Sequence, residues 1–294
     1  MGEITREQAI QLLDLLLNAD VTGHAVQALI DRFDLIETMM KYPESVRRMN
    51  PALFETFVSG GIVSAGVALQ GPARIEDTIV SEYGYPAGWR LKGIEQQLLV
   101  LEQFFPGLTF EAEVPASLPG GAEGWLLVPK PSRIARSYNE ALQRLLSLGT
   151  SARPRFLNSR DGRLGLEHLR LTEETGRVLH ELERSTPGDY LVLAVQCGQQ
   201  HRAKSVSQAR TAYGEKEFGL GPFEVACLLI THPDRLADYE HLGIDCPGCE
   251  YATTPGGDFA YSLCFTWGEE GLYLDCSTVA GAAPGFGSAS GFLG

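Results

Sequence analysis

The most suggestive chemical motif of the chain lies where a strand-like apolar run meets a basic loop. Residues 190–205 read YLVLAVQCGQQHRAKS. Gly198, Lys204 and Ser205 have the spacing of the phosphate-binding loop G-x-x-x-x-G-K-S/T, in which backbone N–H groups and a helix N-terminus hold an anion. Ala203 replaces the second glycine, and its Cβ would keep the backbone away from a phosphate. The run therefore predicts anion binding rather than nucleotide hydrolysis.

The predicted anion site combines backbone donors with basic side chains. Its predicted ligand-binding residues are Gly198, His201, Arg202, Lys204, Ser205 and Arg210. The distribution of charge along the chain supports an anion site in this region. Residues 151–210 hold ten Lys and Arg against seven Asp and Glu, whereas residues 211–294 hold two against twelve. The expected ligand is a phosphate-bearing molecule, either a nucleotide or a stretch of nucleic-acid backbone. Two alternatives stay open: a basic helix start that faces solvent, or a structural module whose basic band docks an acidic protein partner.

A second motif, Cys246-Pro-Gly-Cys249, has the spacing of zinc ligands, and His241 or Cys264 would help to complete a tetrahedral site. No second C-x-x-C and no H-x-x-x-H accompany it. Dithiol redox chemistry needs a helix N-terminus that lowers the pKa of a thiol, and the following residues, EYATTPGGDF, predict turns. The motif leaves open a thiol- or zinc-dependent enzyme centred on Cys246 and Cys249, against ordinary buried cysteines.

The composition of the whole chain argues against several classes of protein. The formal net charge of −13 argues against a protein that binds nucleic acid over its whole surface, because phosphates would be repelled. The N-terminus lacks a secretory signal pattern, and the longest apolar run, residues 57–69, is shorter than the roughly 20 residues of a membrane helix. We therefore expect a soluble, cytoplasmic protein without membrane contact, whose six cysteines are free thiols or metal ligands.

The elements around these motifs predict an α+β fold class, with a helical N-terminal region followed by a mixed α+β C-terminal domain. Apolar residues at helical spacing predict helices within residues 5–40 and 91–105. Strand-forming runs predict strands at residues 190–196, and at 261–267 and 272–276 as a hairpin. Strands and helices do not alternate regularly, which favours α+β over α/β.

Composition also predicts the domain boundaries. Residues 1–114 form the predicted helical region, and residues 115–124 (PASLPGGAEG) form a linker rich in proline and glycine. Residues 125–294 form the predicted α+β domain, which ends in the hairpin and a glycine-rich tail.

Several runs resemble a set of uncharacterised bacterial proteins. They are HRAKSVSQAR, EFGLGPFEVACLLITHPDRL, GIDCPGCEY and the ending GSASGFL. The resemblance covers most of residues 120–294. It implies no known activity, fold, cofactor or catalytic residue, so no role is carried to any position of this chain.

Overall fold

The computed structural model describes residues 81–152 and 155–294, which belong to one compact unit. The helices are α1 (Ile94–Phe104), α2 (Pro131–Ile134), α3 (Tyr138–Ala152), α4 (Glu173–Ser185), α5 (Val206–Ala212) and α6 (Pro222–Thr231), and a 3₁₀ turn follows at Pro233–Arg235. The strands are β1 (Gly124–Pro129), β2 (Phe156–Asn158), β3 (Leu169–Leu171), β4 (Tyr190–Gln196), β5 (Glu217–Gly219), β6 (Gly243–Asp245), β7 (Cys249–Tyr251), β8 (Tyr261–Gly268), β9 (Gly271–Thr278), β10 (Phe286–Ser288) and β11 (Ser290–Phe292).

The first sheet is antiparallel and has the strand order β1-β4-β11-β5. Leu126 and Val128 of β1 face the main core, whereas Leu127 and Tyr190 pack with Leu101 of α1 on the opposite face. Because both faces are covered, β1 and β4 are continuous apolar runs instead of alternating ones.

The second sheet has the strand order β10-β6-β8-β7-β3, and β9 pairs with both β8 and β2. Strands β8 and β9 form a hairpin whose register runs from Tyr261 opposite Thr278 to Gly268 opposite Gly271. Gly271 has a φ of +133° beside the backbone of Arg155, so a side chain there would be strained. The β6–β10 and β2–β9 pairs are parallel, which makes this sheet mixed.

Local sequence chemistry explains where two helices begin. Thr172 caps α4 by accepting a hydrogen bond from the N–H of Thr175, as Thr172 in front of an apolar stripe predicts. Helix α6 begins at Pro222 and is buried on nearly all sides, which matches its almost wholly apolar sequence PFEVACLLIT. This helix packs against α1 and α3 and fills the centre of the core.

The predicted fold class was wrong. A helical N-terminal region is not supported: the helices predicted within residues 5–40 lie outside the described residues, and in residues 81–114 extended chain and turns accompany α1. The described chain mixes helix and sheet, and beyond Arg235 it consists of strands and connecting loops. The physical reason is that glycine, proline, aromatic and β-branched residues dominate there, and they favour strands and turns over helix.

Several individual helices and strands agree with the predictions made from the sequence, although the predicted fold class does not. The predicted helix at residues 91–105 is confirmed as α1, and the predicted strands are confirmed as β4, β8 and β9. The glycine-rich tail adds β10 and β11, which the sequence did not predict. The boundaries at residues 114 and 125 stay a prediction.

Candidate functional site

The junction that the sequence singles out begins where β4 ends. Gly198 has a φ of +115°, and its backbone lies against that of Gly287 so closely that a Cβ on either residue would clash. Ala203 also has a left-handed backbone, with a φ of 60°. Ser205 is the N-cap of α5 and forms a reciprocal capping box with Gln208, as the S-x-x-Q pattern predicts. The expected strand, loop and capped helix are therefore present.

Five backbone donors of the loop and of the first turn of α5 form hydrogen bonds within the protein itself. The donors and acceptors are Gly198 N to Gln196 Oε1 (2.7 Å), Ala203 N to Phe286 O (2.9 Å), Ser205 N to Gln208 Oε1 (2.8 Å), Ser207 N to Val279 O (2.8 Å) and Gln208 N to Ser205 Oγ (3.1 Å). A phosphate loop works because such N–H groups converge on an anion. Here they hold β10, the Val279 loop and the helix cap in place.

The basic side chains of the junction are also engaged within the chain. His201 is buried, and its Nε2 lies 2.7 Å from Oε1 of the buried Glu217. Lys204 Nζ lies 3.4 Å from His201 Nδ1. Because an ammonium group only donates, Nδ1 accepts and the Nε2 proton is directed at Glu217. Arg202 Nη1 donates to the carbonyl of Tyr83 at 2.9 Å.

Arg210 connects the two motifs that the sequence singled out. Its Nε donates to Pro247 O at 2.9 Å, and its Nη2 donates to Cys249 O at 2.7 Å. The guanidinium therefore holds the Cys-Pro-Gly-Cys turn against α5. Of the six predicted ligand-binding residues, the structure brings all into one region, but it uses them mainly as internal contacts.

Glu217 is the centre of a buried polar network. Besides His201, it accepts a hydrogen bond from Ser290 of β11, and Ser290 in turn accepts from the amide of Gln196 at 2.9 Å. Burial alone would raise the pKa of Glu217, but the hydrogen bonds from His201 and Ser290 outweigh it and hold the pKa below its ordinary value. The network ties β4, β5 and β11 to the junction.

The cysteine motif lies in the core. Cys246 and Cys249 are fully buried, and burial raises the pKa of the Cys246 thiol well above its ordinary value and that of Cys249 to about 11. These thiols are the opposite of an activated nucleophile. His241 Nδ1 accepts from the N–H of Ala237 at 3.1 Å, and Cys264 is buried on β8.

No metal site is assembled in the part of the chain that the structure describes, because no group of three or more His, Cys, Asp or Glu side chains is suitably arranged there. All six cysteines are free. Zinc at Cys246 and Cys249 therefore stays a prediction without support from the geometry.

Sequence reasoning missed a polar cluster beside β4. Tyr85 donates its hydroxyl proton to Glu123 at 2.9 Å, and Glu123 accepts the N–H of Cys197 at 3.0 Å. Arg235 is fully buried, donates to the carbonyl of Cys197 at 2.8 Å and stacks 4.1 Å from the centre of the Tyr85 ring. No spacing in the sequence marks this cluster, because its members lie in four distant segments.

Sequence reasoning also missed an apolar cavity of about 120 Å³. It lies between α1, α3 and α6 and the strands β2, β8 and β9, with Phe104, Leu146, Ala226, Leu229 and Phe265 among its walls. All the described residues that line it are apolar. No signal along the sequence would have found it, because each element contributes only one to three residues that look like ordinary core positions.

A wider groove of about 600 Å³ lies beside this cavity and shares Phe104 with it. The groove is also lined by Leu148 and Ile134, and among the described residues its charged lining consists of Arg133 and Arg144. The two hollows therefore differ in character: one is apolar, and the other carries positive charge.

No family model, curated protein or solved structure matches this chain. In the described residues, no helix has both the length and the apolar character needed to cross a membrane. The interpretation of function accordingly depends on the geometry of the molecule.

Proposed function

We propose that the protein binds a small apolar molecule, or the apolar part of a larger one, in the cavity between α1, α3 and α6. The observation that carries the proposal is that, among the described residues, apolar side chains line about 120 Å³ of space. Cavities of about 150 Å³ lined by Leu, Ile and Phe stay dry and accept benzene. A ligand that fills the cavity would also gain dispersion contacts with its apolar walls.

Benzene is a direct probe of this proposal. We expect a dissociation constant on the order of 1 mM, which corresponds to about 4 kcal/mol. At a tenfold excess over that constant, benzene should stabilise the fold by about 1.4 kcal/mol in a thermal or urea unfolding experiment.

Two variants reduce the cavity. Ala226→Leu adds three carbons to its wall and should abolish the stabilisation by benzene. Gly149→Ala is the milder variant, because a Cβ at Gly149 would meet only Ile230 Cδ1 at 3.7 Å, an ordinary contact. This variant should fold and weaken benzene binding. Ala212→Leu, at an exposed position of α5, is the control and should bind like the wild type.

The proposal fails if benzene does not stabilise the wild type. It also fails if benzene stabilises Ala226→Leu and Gly149→Ala as much as it stabilises Ala212→Leu.

The functions predicted from the motifs have less support. A phosphate-bearing ligand at residues 197–210, a thiol or zinc enzyme at Cys246 and Cys249, and an interaction module all stay predictions. Stabilisation by nucleotides or inorganic phosphate that Lys204→Ala abolishes would favour the first of them. The cytoplasmic location is likewise a proposal, and it rests on the six free thiols, which suit a reducing compartment.

A further inference from the structure

The apolar cavity and the basic groove lie on adjacent faces of α3. Leu145, Leu146 and Gly149 line the cavity, and Arg144 and Leu148 line the groove. At 3.6 residues per turn, the 144/148 row lies next to the 145/149 row on the helix surface. A short linker is therefore enough to reach from one hollow to the other.

Phe104 is the common wall of the two hollows. It is the last residue of α1, and the next residue, Phe105, already has a non-helical backbone. A ligand that occupies both hollows would contact the Phe104 ring, which lies at the C-terminal end of α1.

The two arginines of the groove differ in their partners. Arg133 Nε lies 2.9 Å from Asp189 Oδ1, so its charge is balanced. Arg144 donates from Nη1 to the carbonyl of Ile134 at 2.6 Å. Among the described residues it forms no ion pair with a carboxylate. Arg144 as a residue is exposed, and the remaining donors of its guanidinium suit the two oxygens of an anionic group.

From this arrangement we infer that the ligand is an amphipathic carboxylate, whose aryl or short alkyl end fills the cavity while its carboxylate pairs with Arg144. This inference rests on the proposed function and adds the chemical class of the ligand. The apolar end supplies burial, and Arg144 selects for a negative head group. The net charge of −13 does not oppose it, since screening limits interactions between exposed charges to about 10 Å in 0.1 M salt.

The test compares 3-phenylpropionate with its neutral isostere 3-phenylpropanamide, using benzene as the probe of the cavity alone. Calorimetry or ligand-observed NMR measures the three affinities in the full chain. We expect the carboxylate to bind about fivefold more tightly than the amide, because a single charged contact at an exposed site contributes modestly. Added salt should reduce that ratio.

Variants of Arg144 distinguish the effect of its charge on binding from a general disturbance of the fold. Arg144→Gln should bring the carboxylate down to the affinity of the amide and leave benzene binding unchanged. Arg144→Lys should keep most of the preference, because it keeps the charge. Arg184→Gln, on the exposed side of α4, is the charge-matched control and should behave as the wild type.

Equal affinities of the carboxylate and the amide for the wild type would overturn the inference while the apolar site stands. The same conclusion follows if Arg144→Gln weakens both ligands equally. Absence of benzene binding would overturn the proposed function together with the inference.

Discussion

Glu224→Gln should change how the stability of this protein depends on pH. Glu224 lies in the first turn of α6 and is fully buried. Its Oε2 accepts a hydrogen bond from the hydroxyl of Tyr138 at 2.8 Å, and its Oε1 is buried without a hydrogen-bond partner among the described residues. Burial raises the pKa of this carboxyl from 4.5 to about 7, and the hydrogen bond from Tyr138 only partly opposes the rise.

The sign of the effect follows from proton linkage. The folded state holds the Glu224 proton more tightly than the unfolded state, so unfolding releases a proton between about pH 4.5 and pH 7. The contribution of Glu224 to stability is therefore greatest below that window and is lost as pH rises through it. At about 1.4 kcal/mol for each pH unit, the complete loss is about 3 kcal/mol, and the part between pH 5 and pH 8 is about 2 to 3 kcal/mol.

Urea unfolding of both proteins at pH 5, 6, 7 and 8 measures this difference. The amide that replaces the carboxyl does not titrate, so the variant should gain on the wild type by about 2 to 3 kcal/mol across the series. Any fixed cost of the buried amide shifts all four points equally. Asp245, whose pKa burial also raises to about 7, is present in both proteins and cancels in the comparison.

Glu173→Gln makes the same chemical change in the first turn of α4, where the side chain is exposed. Its stability should run parallel to that of the wild type. If Glu224→Gln also runs parallel to the wild type from pH 5 to pH 8, Glu224 does not titrate with a raised pKa and the reasoning is refuted.

Two further predictions concern the junction after β4. Ala203→Gly should stabilise the fold by about 0.5–1 kcal/mol, because Ala203 has a φ of 60°. Ala212→Gly, at the last residue of α5, should instead destabilise the fold by less than about 1 kcal/mol. A loss of stability in Ala203→Gly would contradict the strain. His201→Ala should destabilise the protein by about 3 kcal/mol, because it breaks a buried pair and removes one of the side-chain donors of Glu217. Lys204→Ala should cost less than about 1 kcal/mol. Chemical denaturation at pH 7 checks all four variants, and similar losses for His201→Ala and Lys204→Ala would show that the buried pair is not the dominant contact.

The sequence predicted elements whose causes are local. The apolar stripe of α1 and the strand residues of β4 and β8 are visible in a window of a few residues, and so is the capping box of Ser205 and Gln208. These features depend on backbone preference and near neighbours, so position along the chain is enough to find them.

The missed strands β10 and β11 depend on distant partners. Their sequence, FGSASGF, contains three small residues between its glycines and no β-branched residue, so its strand propensity is low. Gly287 is required because it meets the backbone of Gly198, and Gly291 packs against the ring of Phe218. Those contacts join positions far apart in the chain. From composition alone, the same segment was predicted only as a glycine-rich tail.

The His201–Glu217 contact and the apolar cavity could not be predicted from the sequence either, because the fold brings their residues together from distant positions. The sequence predicted His201 as a residue that binds an anionic ligand, but it could not show that Glu217 of β5 is its neighbour in the fold. The cavity needs residues from α1, α3 and α6 together, as Phe104, Leu146 and Ala226 show. Each of these positions on its own is an apolar residue in a buried element, which is what any core predicts.

The resemblance of the junction to a phosphate loop has a geometric origin that is independent of any anion. A chain that leaves a strand and enters a helix within a few residues needs left-handed backbone positions, which Gly198 and Ala203 supply, and then an N-cap, which Ser205 supplies. Phosphate loops meet the same requirement, so the spacing of small residues and serine recurs in both. The two cases differ in where the N–H groups point. In this protein they point to Gln196, Phe286 and the helix cap, and the lysine that completes the motif points to a buried histidine–glutamate pair instead of an open pocket.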